Sequence, residues 1–192
     1  MMRKAVVVKL GGSHVLSPLL HPWLRAIAAE AGKLVLVPGG GPFADAVRAA
    51  QPVMGFDDRA AHAMALLAMT QCAMALANLD PALVVAADEA DIARALSALR
   101  VPVWSPWPMA CDAPDIAESW DVTSDSLALW LAARLQAQRV VIIKHRAVPI
   151  GEDLPALAEA GVVDRAFPRF RAAFAGEVVF AGPHDLAIPP AA

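Results

Sequence analysis

Short runs of β-branched and aliphatic residues recur along the chain, each followed by a glycine or polar turn and then by a segment with helical spacing. This alternation constrains the fold more than any other feature. Residues 5–10 (AVVVKL) run into Gly11-Gly12, and residues 22–31 then read as a helix, with Pro22 in the first turn where a missing N–H costs nothing. The pattern repeats at once: residues 33–37 (KLVLV), Gly39-Gly40-Gly41, and a helix over 42–50. Residues 57–79 form the longest helical candidate, followed by a strand at 82–86 and a helix at 89–99. Residues 101–104 (VPVW) are expected to be an edge strand, because Pro102 has no N–H for a ladder. Helix 124–136, strand 139–144 (RVVIIK), helices 154–160 and 167–174, and strand 177–180 complete the series. Strands alternating with helices assemble through right-handed crossovers, so the expectation is an α/β fold with a mostly parallel central sheet and helices on both faces. The 192 residues, 58% of them hydrophobic, suffice for such a core, and with no linker or repeat the whole of 1–192 reads as one domain.

Charge and composition narrow the partners. The net charge is −3 and no basic block or aromatic stripe appears, so nucleic acid is not the expected partner. The segment before Gly11 is too short for a signal or a span, and the apolar stretch 60–77 is broken by His62, Thr70 and Gln71; it reads as a core helix, with no membrane partner. Cys72 and Cys111 have neither metal nor redox spacing, which points to a reduced, cytoplasmic setting. Residues 105–120, with Pro106, Pro108 and Pro114, have no clear period and read as a loop at an active face or a structural cover. The tail 188–192 is expected to fray.

In a parallel sheet, ligands gather at the carboxyl ends of the strands. Lys9 lies inside an apolar strand, a costly place for an ammonium unless it meets an anion. Gly11 and Gly12 would let backbone N–H groups approach a phosphate, with Ser13 adding a hydroxyl. The alternative is an edge-strand lysine beside an ordinary turn. Gly39, Gly40 and Gly41 lead into Pro42 at a helix start, which is either an anion site or a flexible connector. Asp125, in Thr123-Ser124-Asp125-Ser126, is either a helix-capping carboxylate or the partner of one or two lysines, Lys144 among them. His62 is either a core histidine or an acceptor contact. Two glycine turns, two strand-end lysines and one aspartate suit phosphoryl transfer, where positioning and charge neutralisation carry the catalysis.

The segments VVVKLGGS, VPGGGPFAD, TSDSLA and VVIIK, in that order, resemble the amino acid kinase superfamily across roughly residues 4 to 182. The resemblance implies a three-layer αβα sandwich, a homodimer, ATP bound towards the C-terminal half and a small anionic acceptor towards the N-terminal half, with Mg²⁺ held mainly by the nucleotide phosphates. It also implies roles. Lys9, Asp125 and Lys144 are the catalytic set; Gly11, Gly12, Ser13, Thr123 and Ser124 are expected at the nucleotide phosphates. Gly39, Gly40 and Gly41 would cradle the acceptor, helped by Arg59 and His62. DDRAAHAMALLAMTQ (57–71) and GVVDRAFPRF (161–170) resemble the small members associated with methanofuran-type cofactor synthesis, which phosphorylate an aminomethyl-furanmethanol phosphate. The acceptor is then expected to be a phosphomonoester. A carboxylate acceptor giving an acyl phosphate, or a non-catalytic nucleotide-binding homologue, are the alternatives. The second is motivated by residues 144–149 (KHRAVP), where many relatives carry an Asp-Gly loop.

Overall fold

The computed structural model describes residues 5–148 and 153–189. In chain order the strands are β1 (Val6–Leu10), β2 (Leu34–Pro38), β3 (Leu83–Ala86), β4 (Val101–Trp104), β5 (Arg139–Ile143) and β6 (Glu177–Ala181). The helices are α1 (Leu20–Ala28), α2 (Gly41–Met54), α3 (Asp58–Leu79), α4 (Glu89–Ser97), α5 (Trp107–Ala110), α6 (Ser124–Arg134), α7 (Leu154–Glu159) and α8 (Phe167–Ala173). The six strands line up as β3-β4-β2-β1-β5-β6, and every pairing is parallel. Pro149 and residues 190–192 of the expected tail lie outside the described residues.

Alternation along the strands feeds two cores. Val6, Val8, Leu10, Leu34, Leu36, Val141 and Ile143 pack with Trp23, Leu24 and Ile27 of α1 on one face. Val7, Val35, Val37, Val140 and Ile142 pack with α6 and with Phe167 and Phe170 of α8 on the other. Leu127 through Ala132 are all buried, because α6 lies between the sheet and α8, as a helix that is apolar all round must. α3 carries a window of mean hydropathy 1.5 and is long enough to cross a bilayer. Its Ala61, Leu66, Met69, Cys72, Ala73 and Leu76 are instead buried in the protein, so it is a core helix here.

The expected edge strand is an interior one. β4 lies between β3 and β2, and the true edges are β3 and β6. Alternate backbone groups of a parallel strand face alternate neighbours. The Val101 and Ser105 N–H groups donate to Ala82 and Ala86 on the β3 side, so Pro102 turns its missing donor towards β2. There the ladder shrinks to the single pairing Leu36↔Val103. The chain accommodates the proline by shortening one ladder, not by leaving the sheet.

β1 sits at the centre, with β2 on one side and β5 on the other. That order reversal opens a crevice at the carboxyl ends of these strands, where both glycine turns and both strand-end lysines lie.

Candidate active site

Strand parity brings the two lysines together. Lys9 pairs in register with Ile142, and Lys144 follows two residues later on the adjacent strand, so both side chains rise from the same face of the sheet. Above them α6 begins, and Asp125 in its first turn reaches down between the two ammonium groups. Asp125 Oδ1 lies 2.8 Å from Lys9 Nζ as an ion pair, and Oδ2 accepts a hydrogen bond from Lys144 Nζ at 2.6 Å. Lys9 and Asp125 are buried and the Lys144 side chain is 11% exposed. Burial alone would push the Asp125 carboxyl up, but the two ammoniums and their hydrogen bonds hold it below the usual carboxylate range. Burial, and then Lys9, pull the Lys144 ammonium below its ordinary value.

Asp125 therefore does not cap its helix. That task falls to Asp164, in the segment between α7 and α8. Its Oδ2 accepts from the Thr123 N–H, the Thr123 hydroxyl and the Ser126 N–H at 2.9, 2.9 and 3.0 Å, and its Oδ1 takes the Ser126 hydroxyl. Burial pushes the Asp164 carboxyl up, against the pull of the Ser126 hydroxyl. The capping frees Asp125 for the lysines, and Thr123, held by Asp164 through its N–H and hydroxyl, still lines the larger cavity.

The glycine turns meet backbone to backbone. A Cβ on Gly12 would lie 2.4 Å from the Gly41 nitrogen, and one on Gly39 would lie 2.3 Å from the Gly12 nitrogen. Gly41 also adopts φ +50. The two turns need glycine to touch each other, whatever else approaches them. Cys72 of α3 donates its thiol to the Gly40 carbonyl at 3.2 Å, and burial pushes that thiol up to about 12.

Two cavities open above the turns. The larger, about 570 Å³, holds Lys9, Gly11, Asp125, Lys144, His145 and Arg146 in its wall, together with Asp164 and Arg165. The smaller, about 350 Å³, lies over Gly39, Gly40 and Gly41 between α2, α3 and the start of α6. Gly12, Ser13, Trp120, Thr123 and Gly161 belong to both, so the cavities are joined across the first glycine turn.

The structure separates the expected site residues. Lys9, Gly11, Gly12, Ser13, Asp125 and Lys144 converge on the larger cavity. Gly39, Gly40, Gly41 and His62 line the smaller one, and so does Ser124, on the side opposite to the one expected. Arg59 lines neither. It stands exposed in the first turn of α3, 3.5 Å from Asp112 and 3.4 Å from Glu118. His62, one turn further along, is buried with Nε2 unpartnered among the described residues. Burial lowers its pKa, opposed by the Ser119 carbonyl and the Glu118 carboxylate, so the ring is neutral near pH 7. Arg48, which the sequence reading passed over, lines the smaller cavity with its guanidinium carbon 4.3 Å from the Trp120 ring centroid. Trp120 is fixed in turn by its indole N–H, which donates to Gln51 at 2.7 Å. The place of Arg48 three residues beyond Asp45, on a helix that starts at the glycines, was the available signal.

A parallel sheet presenting paired lysines, one buried carboxylate and two touching glycine turns at its strand ends defines an αβα protein that handles phosphate without a P-loop. The chain matches the amino acid kinase family over residues 4–146 and belongs to that family. It is 30% identical over 140 residues to (5-(aminomethyl)furan-3-yl)methyl phosphate kinase of Methanocaldococcus jannaschii, a match that covers 71% of this chain and 63% of that one. The match thus spans less than two thirds of that relative. The fold is similar to uridylate kinase from Archaeoglobus fulgidus, with TM-score 0.64, 20% identity, and 96% and 94% of the two chains covered. It is similar also to UMP kinase from Ureaplasma parvum, with TM-score 0.65, 15% identity, and 94% and 90% covered.

Proposed function

We propose that this protein is an ATP-dependent kinase that transfers the γ-phosphoryl group to a phosphomonoester, giving a diphosphate. The observation that carries the reading is the junction of the two cavities over Gly12 and Ser13, beside the Lys9–Asp125–Lys144 cluster. Two ammoniums against one carboxylate leave a positive excess beside Gly11 and Gly12, which suits the phosphates of a nucleotide in the larger cavity. The acceptor occupies the smaller cavity, its phosphate against the glycine triplet at the N-terminal end of α2.

In that arrangement an acceptor oxygen attacks the γ-phosphorus, the bond to the β-phosphate oxygen breaks, and ADP leaves. A phosphate dianion is a ready nucleophile near neutral pH, so no proton has to be removed. Lys9 and Lys144 offset the charge that gathers on the transferred group and the leaving oxygen. Asp125 holds both ammoniums in place. Among the described residues no three carboxylate, imidazole or thiol side chains converge as metal ligands. Mg²⁺ held by the nucleotide phosphates would neutralise charge between the β and γ positions. His62 is the acceptor-side imidazole; a bound phosphate draws a proton onto its unpartnered Nε2.

The similarity to the methanocaldococcal enzyme supports an acceptor of the aminomethyl-furan phosphate type, and two free cysteines without metal or redox spacing suit a reduced, cytoplasmic setting. The uncharged outer side of α3, where Met64, Leu67, Met74 and Leu79 are exposed, suits a homodimer contact. The test is ADP release from Mg-ATP against phosphomonoesters and amino acid carboxylates in parallel. Turnover with the phosphomonoesters is expected; turnover with carboxylates alone moves the assignment to acyl phosphate formation, and none with either removes it.

A further inference from the structure

The smaller cavity has two chemically different ends. At its floor are the glycine turns and His62, a side chain only 6% exposed whose Nε2 is unpartnered among the described residues and whose ring lines the cavity. Its α2 wall is built from Gly41, Ala44, Asp45 and Arg48, which fall on one face of the helix. Among the described residues that line this cavity, Asp45 is the one carboxylate.

Asp45 is not placed at random on that wall. Its Oδ1 accepts from Arg48 Nη1 at 3.0 Å, and the Arg48 guanidinium is itself seated on Trp120. Asp45 is 73% exposed, its Oδ1 is paired with Arg48, and its Oδ2 has no partner among the described residues. At about 1.5 Å per residue, Asp45 stands about one helical turn, ~6 Å, beyond Gly41. The cavity therefore offers an anion pole at the glycines and a carboxylate one turn away along the same wall. A ligand that answers both carries a phosphate and a cationic amine on either side of a small spacer.

We propose that Asp45 is a specificity-determining residue: its carboxylate pairs with an ammonium group on the acceptor, so that amine-bearing phosphomonoesters are selected over neutral ones of the same shape. The proposal rests on the phosphomonoester kinase reading and assigns the residue that chooses among such acceptors. Asp45 lies at the exposed mouth, where a charge pair is largely screened, so the selection is worth about fivefold at most.

The test compares kcat/KM for (5-(aminomethyl)furan-3-yl)methyl phosphate with that for its 5-hydroxymethyl counterpart. The ratio is measured in the natural protein, Asp45→Asn and Asp45→Glu. The natural protein and Asp45→Glu should favour the amine, and Asp45→Asn should cut the ratio about fivefold. Reading a ratio cancels any general effect of releasing Arg48. An Asp45→Asn ratio within twofold of the natural protein's, or equal loss on both compounds, overturns the role of Asp45 and leaves the kinase standing. A natural protein inert towards both compounds removes this role, and the parallel assay on other phosphomonoesters and on carboxylates then decides separately whether the kinase reading stands.

Discussion

Removing the Lys9 ammonium leaves Asp125 paired with Lys144 alone, so the fold should survive while the charge on the transferred group loses a partner. Lys9→Ala is expected to lower kcat by about 10²–10³-fold with an unchanged circular dichroism spectrum. Asp125→Ala has the opposite balance: two buried ammoniums lose their shared carboxylate, a change of about 3–5 kcal/mol in stability, read from urea unfolding. Because the Asp125 carboxyl is held below its ordinary value in the fold, its stabilisation is complete above the unfolded-state pKa. It is lost as pH falls through the lower folded value. The urea midpoint should therefore drop below about pH 4 in the natural protein, and part of that slope should vanish in Asp125→Asn. At this scale the sequence was legible where parity decides. Lys9 and Lys144 end neighbouring strands on one face, so their meeting could be anticipated, whereas the outward direction of Arg59 depends on its rotation about α3. Asp164 was hidden because its partners lie 38 and 41 residues away along the chain, beyond any local pattern.

Secondary structure was read closely wherever glycine or proline marks a boundary, and less well where a neighbour decides. The start of α2 behind Gly39–Gly41 and the start of α3 behind Asp57, whose carboxylate accepts from the Ala60 N–H, follow from local chemistry. The interior place of β4 does not, since Pro102 limits a ladder without forbidding it. Two substitutions separate contact from conformation. Gly12→Ala drives a methyl into the Gly41 backbone and should destabilise by about 1–3 kcal/mol, with loss of activity. Gly55→Ala meets open space and suffers only its φ of +76, about 1–2 kcal/mol, with activity retained. Asp164→Ala uncaps α6 and should lower both the melting temperature and kcat, because the first turn of α6 carries Asp125.

For the whole molecule, strand alternation foretold the parallel sheet and its two helical layers, and the order of four segments foretold the family. The family resemblance implied separate nucleotide and acceptor sides, but the sharing of Trp120, Thr123 and Gly161 by both cavities was not legible, because these residues are far from the glycine turns along the chain. A homodimer formed through the uncharged side of α3 should give twice the 20.1 kDa chain mass by light scattering, reduced to one chain by Leu67→Glu. The central claim is that phosphoryl passes from one cavity to the other. Phosphorus NMR of the protein with Mg-ATP and (5-(aminomethyl)furan-3-yl)methyl phosphate tests it most directly. The account predicts that the phosphomonoester signal gives way to the coupled pair of a diphosphate as ADP appears, and that Lys9→Ala slows the change by about 10²–10³-fold. A phosphomonoester signal that persists unchanged beside intact ATP would contradict it.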